Sequence, residues 1–544
     1  MYSPCRKTVA KRLAALFGAT ALVVQVTEVA FAVETPPAPA TAQSQTPPAA
    51  NFGEFIEQPI GDVGTPAIAA APVAGIQAAT VAPPQAPAVG APTPMPASPD
   101  AKAFDPFAFM STAERSSNLL GTLWGLRPLL AQGGMTLNIQ EQSEILGNVT
   151  GGYHKGFDYE GLTTATLQLD TKRAFGWDGG LVNVSGLQIH GKSLSAYNLG
   201  TLQTASGIEA ENKTRLWEAW YQQQFLDGKV DVKLGQQSLD QEFMTSQNSN
   251  YFVNTMMGWP MLPSADMPGG GPAYPLSALG IRGRVHVDDS ITVLAGVFNG
   301  SPIDNRIADS QKDNPTGTSF PLNGGALMIA ELQFVYPGQG TLVKADEAEP
   351  LARTYKVGFW YDSESFADLR YGTDGLSLAN PASNGVAVSH RGNYAFYAVA
   401  DQMIWRNDKD PDQNINVFLR PMFTPLQDRN LVSFSVNGGL TVHEPLPNRD
   451  DDTFGLGFGV ARVSNSATGL DLDTQALNQG VFSTVRHTES FVETTYQYQA
   501  TPWLQVQPDV QYVFNPGGGI INTSNPMQRV KNELVFGVRS NITF

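Results

Sequence analysis

The stretch Leu534-Val-Phe-Gly-Val-Arg-Ser-Asn-Ile-Thr-Phe544 closes the chain and sets its period. Leu534, Phe536, Val538, Ile542 and Phe544 fall on one face. Gly537, Arg539, Asn541 and Thr543 fall on the other. Side chains alternate across a strand, so this is a strand with one apolar and one polar face. The same alternation recurs upstream. Phe454, Leu456, Phe458 and Val460 alternate with glycine and Ala461; Val432, Phe434, Val436, Leu440 and Val442 alternate with Ser433, Ser435, Asn437 and Thr441; Ile281, Val285 and Val287 alternate with Arg282, Arg284 and His286. Segments of ~10 residues, apolar outward and polar inward, are the mark of a transmembrane barrel; the strands of a soluble sandwich alternate alike but run shorter.

The pattern predicts about sixteen strands, near 135–146, 161–170, 181–190, 214–225, 229–236, 280–287, 291–298, 325–335, 354–361, 393–404, 415–423, 431–442, 453–462, 489–499, 503–513 and 533–544. The strand at 181–190 alternates poorly. Tight links at Leu226-Asp-Gly228, Asp288-Asp-Ser290 and Ala500-Thr-Pro502 fall at one end. Long links at 191–213, 237–279, 299–324, 362–392, 463–488 and 514–532 fall at the other, and the short link 424–430 breaks the pattern. Short turns on one side and long loops on the other are how outer-membrane barrels are built. Phe544, ending an amphipathic strand, is the expected recognition signal for the outer-membrane assembly machinery. The fold class is therefore all-β: a transmembrane antiparallel β-barrel over 135–544, in contact with outer-membrane lipid.

The chain before the barrel divides into three. Residues 1–32 are expected to be a cleaved signal peptide. Arg6, Lys7, Lys11 and Arg12 form its basic region, Leu13 to Val26 is too short an apolar run to span a bilayer comfortably, and Ala30-Phe31-Ala32 is a small-x-small cleavage site. Cys5 is the single cysteine, so the mature chain is expected to hold no disulfide and no thiol nucleophile. Residues 33–103 carry fifteen prolines between Pro36 and Pro99, interleaved with alanine, and are expected to be a disordered linker. Residues 104–134 are expected to hold a short helix. Leu119, Leu120, Leu123, Leu126 and Leu130 recur at near-helical spacing, limited by Pro128 and Gly133-Gly134.

Without residues 1–32 the chain has 30 basic and 49 acidic residues, a net charge of −19. Nucleic-acid binding depends on neutralising phosphate, so that class is excluded. No His-Glu-x-x-His or Gly-x-Ser-x-Gly motif is present, no phosphate-binding loop is expected, and the six histidines are too scattered in sequence for a local metal site. Asp408-Lys-Asp-Pro-Asp-Gln-Asn414 starts like a calcium loop but lacks glycine at its sixth position, and Leu419 stands where the final glutamate would be; it reads as a solvated turn. No cofactor and no metal are expected.

Three segments in order resemble the carbohydrate-selective porin family, the OprB family. They are Leu119-Leu-Gly-Thr-Leu-Trp-Gly-Leu-Arg-Pro-Leu-Leu-Ala-Gln-Gly-Gly134; Leu234-Gly-Gln-Gln-Ser-Leu-Asp-Gln-Glu-Phe243 with Tyr251-Phe-Val-Asn254; and Glu493-Thr-Thr-Tyr496 with Thr501-Pro-Trp-Leu-Gln-Val-Gln-Pro-Asp-Val-Gln-Tyr-Val-Phe-Asn-Pro-Gly-Gly518. The resemblance spans roughly 117–544 and departs from the family form at Thr122-Leu123 before Trp124. It implies passive diffusion of small sugars through the outer membrane. A general, weakly cation-selective porin, motivated by the acidic charge, is the second reading, and a barrel-borne enzyme the third.

Strand parity puts Glu218, Trp220, Gln222 and Gln224 inward if Ala219, Tyr221 and Phe225 meet lipid. Asp231 and Lys233, Arg282 and Arg284, Lys356 and Trp360, and Trp503, Gln505 and Gln507 also point inward on this count. Amides and charges suit sugar hydroxyls, and indole planes suit the C–H face of a sugar ring. The longest link, Gln237 to Leu279, spans 43 residues and carries Asp240, Glu242 and Asp266 among aromatics and prolines. A loop of that length is expected to be functional, folding inward to narrow the pore; the competing reading is an outward loop facing the medium with its aromatics packed on the barrel rim. The candidate pore-lining set is Glu218, Trp220, Asp231, Lys233, Asp240, Glu242, Arg282, Arg284 and Trp360.

Overall fold

In the computed structural model, which describes residues 117–304, 310–338, 350–477 and 482–544, sixteen antiparallel strands form one closed barrel. They are β1 (Met135–Thr150), β2 (Gly156–Asp170), β3 (Gly180–Gly191), β4 (Thr214–Phe225), β5 (Val230–Gln237), β6 (Ala278–His286), β7 (Ile291–Asn299), β8 (Ala326–Tyr336), β9 (Arg353–Gly372), β10 (Ala387–Arg406), β11 (Asn414–Phe423), β12 (Val432–His443), β13 (Thr453–Val463), β14 (Thr488–Thr501), β15 (Leu504–Phe514) and β18 (Glu533–Thr543). The short pair β16 (Ile521–Asn522) and β17 (Asn525–Arg529) forms a separate hairpin in the last long link. Each strand pairs with its sequence neighbour, and β18 closes the ring on β1 with Glu144 opposite Arg539 and Ile145 opposite Val538. Closure leaves no sheet edge, as a barrel in lipid requires.

Every predicted strand is present, with bounds shifted by a few residues except at β9 and β10. There the expected link 362–392 is largely strand: both strands run for 20 residues and leave only 373–386 between them. Strands of that length exceed the ~9–11 residues that cross a bilayer. The hairpin therefore extends past the apolar band on the long-loop side. That band is visible in the outward residues: Ile145, Leu234, Ile281, Val297, Leu332, Phe359, Phe396, Val492 and Val538 are all exposed on the outer wall. Among the described residues no helix is long and apolar enough to cross a membrane.

The irregular alternation of β3 has a packing cause. Its inward residues Asn183 and Ser185 are polar, but Leu187 and Ile189, farther along the same face, pack with Leu162, Ile208, Trp217 and Tyr274. The inward face turns apolar where loops fill the barrel. Gly186-Leu-Gln-Ile-His-Gly191-Lys192-Ser193 has the spacing of a phosphate loop, contrary to the expectation that none would be found. Residues 186–191 are nevertheless extended in β3, so their amides serve the ladder with β2 and β4 instead of cradling an anion.

At the turn end, helix α1 (Leu126–Gln132) precedes β1, and Leu123, Trp124 and Gly125 before it all have positive φ. The Leu119 amide donates to the Thr543 carbonyl (2.7 Å), Arg127 donates to the Phe544 carbonyl, and the Phe544 amide donates to Ile139 (2.9 Å). The segment is thus tied to the last strand. The expected signal peptide, the linker and residues 104–116 lie outside the described residues.

Candidate functional site: a lumen crossed by an infolded loop

The link between β5 and β6 turns into the barrel. Its backbone is held by side chains on strands from the neighbouring β4 to β15 on the far wall. Glu218 on β4 accepts from the Ser238 amide (3.0 Å), Glu331 on β8 from Met244 (2.9 Å), Asp401 on β10 from Asn248, and Glu493 on β14 from Val253 and Asn254. Gln507 on β15 donates to the Tyr251 carbonyl (2.8 Å), and Val432 at the start of β12 donates its amide to Asp266 (3.1 Å). A buried peptide group must find a partner. Inward polar residues that a sequence pattern reads as pore lining here serve as those partners.

Apolar side chains of the loop complete the filling. Phe243, Met244, Phe252, Met257, Trp259 and Leu262 are buried in one cluster with wall residues of β7 to β15. The glycines of β13 make room: a Cβ on Gly457 would stand 2.6 Å from Met257 Cε and 2.7 Å from Phe252 Cε1. The link 192–213 folds in beside it. Its Leu202 and Gln203 amides donate to Glu489 on β14 (2.7 Å each), and the Tyr274 hydroxyl donates to the Ile208 carbonyl (3.2 Å). Sequence reasoning missed Glu331, Asp401, Glu489, Glu493 and Arg420 as anchors. Their inward parity was readable, but which loop each meets was not.

Against β4, β5 and β6 the loop presents Glu242 to a charged cluster. Arg282 Nε and Nη2 donate to the two Glu242 oxygens (2.5 and 2.8 Å), and Arg284 Nη2 reaches Oε1 at 3.2 Å. Lys233 and Asp231 also join, as partners of Glu242 and Arg282. Lys233 Nζ stands 4.3 Å over the Trp220 ring, and Gln222 accepts from Arg282 at 3.3 Å. Three cations and two carboxylates meet here, and Glu218 on β4 stands near Lys233 as a further acid. Burial pushes the Glu242 carboxyl up, but Lys233, Arg282 and Arg284 overcome this and hold it at about 2. Arg284 and Glu242 are the cluster's most exposed members, with side chains 29% and 15% accessible, against 7% or less for Lys233, Arg282 and Asp231.

The remaining candidates sit differently. Asp240 is buried, accepting from the Ser238 hydroxyl (2.6 Å) and the Tyr274 amide (3.1 Å), and burial raises its pKa. Trp360 faces inward but is 1% exposed within the apolar cluster, so it offers no open ring to the lumen. Lys356 donates to the Thr245 carbonyl (2.8 Å), Gln505 bonds Gln497 and Asn541, and Trp503 belongs to the turn before β15. Gln224 is exposed at the turn end. Tertiary structure also gathers side chains that are scattered in sequence: His390 Nε2 lies 2.8 Å from Asp368 and 3.7 Å from Asp428, whose carboxylate is held by Arg429. Asp410 and Asp412 of the calcium-like turn come near Glu444.

A closed barrel with a polar inner face and an infolded, charge-anchored loop has the build of a diffusion channel. The model of the carbohydrate-selective porin, OprB family, matches residues 154–544. The chain belongs to that family. Porin B of Pseudomonas aeruginosa is 24% identical over 78% of this chain and 91% of its own length, and the putative porin QuiX of Acinetobacter baylyi is 24% identical over 74% and 89%. The high-pH structure of Pseudomonas putida OprB superposes with a TM-score of 0.69 at 21% identity, over 80% of this chain and all of that one, and so shares the fold. This OprB-family protein is an outer-membrane porin through which carbohydrates diffuse, and a porin family is not an enzyme class. The second and third blocks quoted for the resemblance lie within the matched residues; the segment Leu119 to Gly134 precedes them.

Proposed function

We propose that small sugars cross this porin by passive diffusion through the lumen left beside the infolded loop, past the charged cluster that ties the loop to β4, β5 and β6. The observation that carries this is Glu242, held on the loop and paired with Lys233, Arg282 and Arg284 beside the Trp220 ring. Trp220, Glu242 and Arg284 line the passage. Asp231, Lys233 and Arg282 back them, Glu218 and Asp240 fix the loop's first limb, and Trp360 packs behind it. Paired charges and amides exchange hydrogen bonds with successive hydroxyls, and the indole accepts the ring's C–H face. No catalytic step is part of the proposal. The outward apolar band is the surface for outer-membrane lipid, and the final strand with Phe544 is the segment for the assembly machinery.

A general cation-selective pore is the competing reading, supported by the acidic composition. The three cations gathered around Glu242 argue against it. Single-channel recording in planar bilayers separates the two. Millimolar glucose or maltose should reduce the ion current of the wild-type porin, and Glu242→Gln or Arg284→Gln should weaken that block. A current indifferent to both sugars in the wild type would sink the sugar reading.

A further inference from the structure

Arg420, on β11, is fully buried, and its guanidinium is spent almost wholly on loop backbone. Nη1 donates to the carbonyls of Met244 (3.0 Å) and Gly258 (2.9 Å), Nη2 to those of Met256 (2.8 Å) and Met257, and Nε to the Asn437 side chain (3.2 Å). A guanidinium has five N–H donors in a planar fork, and all five are used. The carbonyls come from two separate limbs of the loop, so the side chain closes residues 244–258 into a clasp.

Met244 is gripped through both of its flanking peptides. Glu331 takes its amide, and Arg420 takes its carbonyl. Met244 itself has φ 59°, a left-handed conformation that non-glycine residues seldom adopt and that survives only where the surroundings impose it. Asp401, on the neighbouring β10, accepts from Ser246 Oγ and from the Asn248 amide and side chain, fixing the next turn. Glu242 lies two residues before Met244. The loop is therefore strung between two walls, Glu242 on β5 and β6 and Met244 on β8 and β11.

We infer that Arg420 is the positioning residue of the passage: it touches no permeant, but it fixes where the loop, and with it the Glu242 carboxylate, stands in the lumen. This rests on reading the loop as the constriction. Lysine, with three donors on one nitrogen, cannot span both limbs, so charge alone does not reproduce the role.

The test uses the full-length porin, folded in detergent and reconstituted in planar bilayers, as wild type, Arg420→Met and Arg420→Lys. Hydrogen exchange of residues 239–258 reads loop position, while conductance and block by maltose read the passage. Arg420→Met should exchange faster in this segment, conduct more and lose several-fold in sugar block while the barrel remains heat-modifiable on gels. Arg420→Lys, which keeps the buried charge and protects against a folding failure, should shift all three readouts the same way by less. Wild-type exchange in Arg420→Lys and in any folded Arg420→Met would overturn the clasp itself. Faster exchange with unchanged current and unchanged block would overturn the proposal from the other side, because the loop would then not bound the passage.

Discussion

Glu242 sits in the charged cluster as an acid that burial opposes and three cations hold ionised. Its folded pKa, about 2, is below the ordinary carboxylate value, so its pairing stabilises the loop above that ordinary value and is lost as pH falls toward 2. Ion selectivity and sugar block should accordingly stay level in this contribution from pH 8 to near pH 4 and then change steeply at lower pH; in Glu242→Gln the acid step should vanish. Reversal potentials in salt gradients at stepped pH check this, and a step of equal size in the variant would assign it to another acid. Gly457 is the complementary case, a residue chosen for what it lacks. Valine there would drive a side chain into Met257 and Phe252, and overpacking of this kind costs about 1–3 kcal/mol. The variant's heat-modifiability midpoint should fall while its strands still form.

Among the elements, the strands and the loops were legible to different degrees. Period-two alternation depends only on which face meets lipid, and lipid acts alike on every strand, so the pattern located all sixteen. The loop ends were legible where turns are tight, as at Leu226-Asp-Gly228, whose three residues all have positive φ. They were misjudged at 362–392, where two strands continue beyond the membrane and lipid no longer imposes the pattern. The link 424–430, short for its side, is tied down by the Asp428 carbonyl accepting from the Leu369 amide and by Asn430 bonding Asn393. Removing residues 246–256 from the long loop should raise single-channel conductance and abolish maltose block with the barrel intact. Wild-type current in that deletion would place the loop outside the permeation path. The last strand makes its own prediction: Phe544→Asp should reduce the yield of heat-modifiable barrel in outer membranes, and a normal yield would remove Phe544 from the assembly signal.

At the scale of the whole molecule, a chain whose overall charge is strongly negative gathers three cations around one loop carboxylate at the candidate passage. Net charge describes the average surface, whereas selectivity belongs to the few groups at a constriction. The long proline-rich segment before the barrel is expected to act as a spacer. Deleting residues 36–100 should leave folding and conductance unchanged in outer-membrane fractions and bilayers. Loss of the folded band would show that the barrel depends on it.

The sequence by itself determined the barrel, its strand number, the end at which its tightest turns fall and the inward face of Glu218, Trp220, Asp231, Lys233, Arg282 and Arg284. A membrane imposes one periodic rule on every strand, and that rule is local. Only the tertiary structure decided what each inward residue meets. Glu493 and Gln507 obey the same parity as Arg284, yet they hold loop backbone while Arg284 reaches toward the lumen. Trp360 obeys it too, and lies under apolar packing. That partition depends on where two long loops come to rest inside the barrel. Their contacts join residues from dozens to hundreds of positions apart, as between Met244 and Glu331 or Leu202 and Glu489, and no local period records such a pairing.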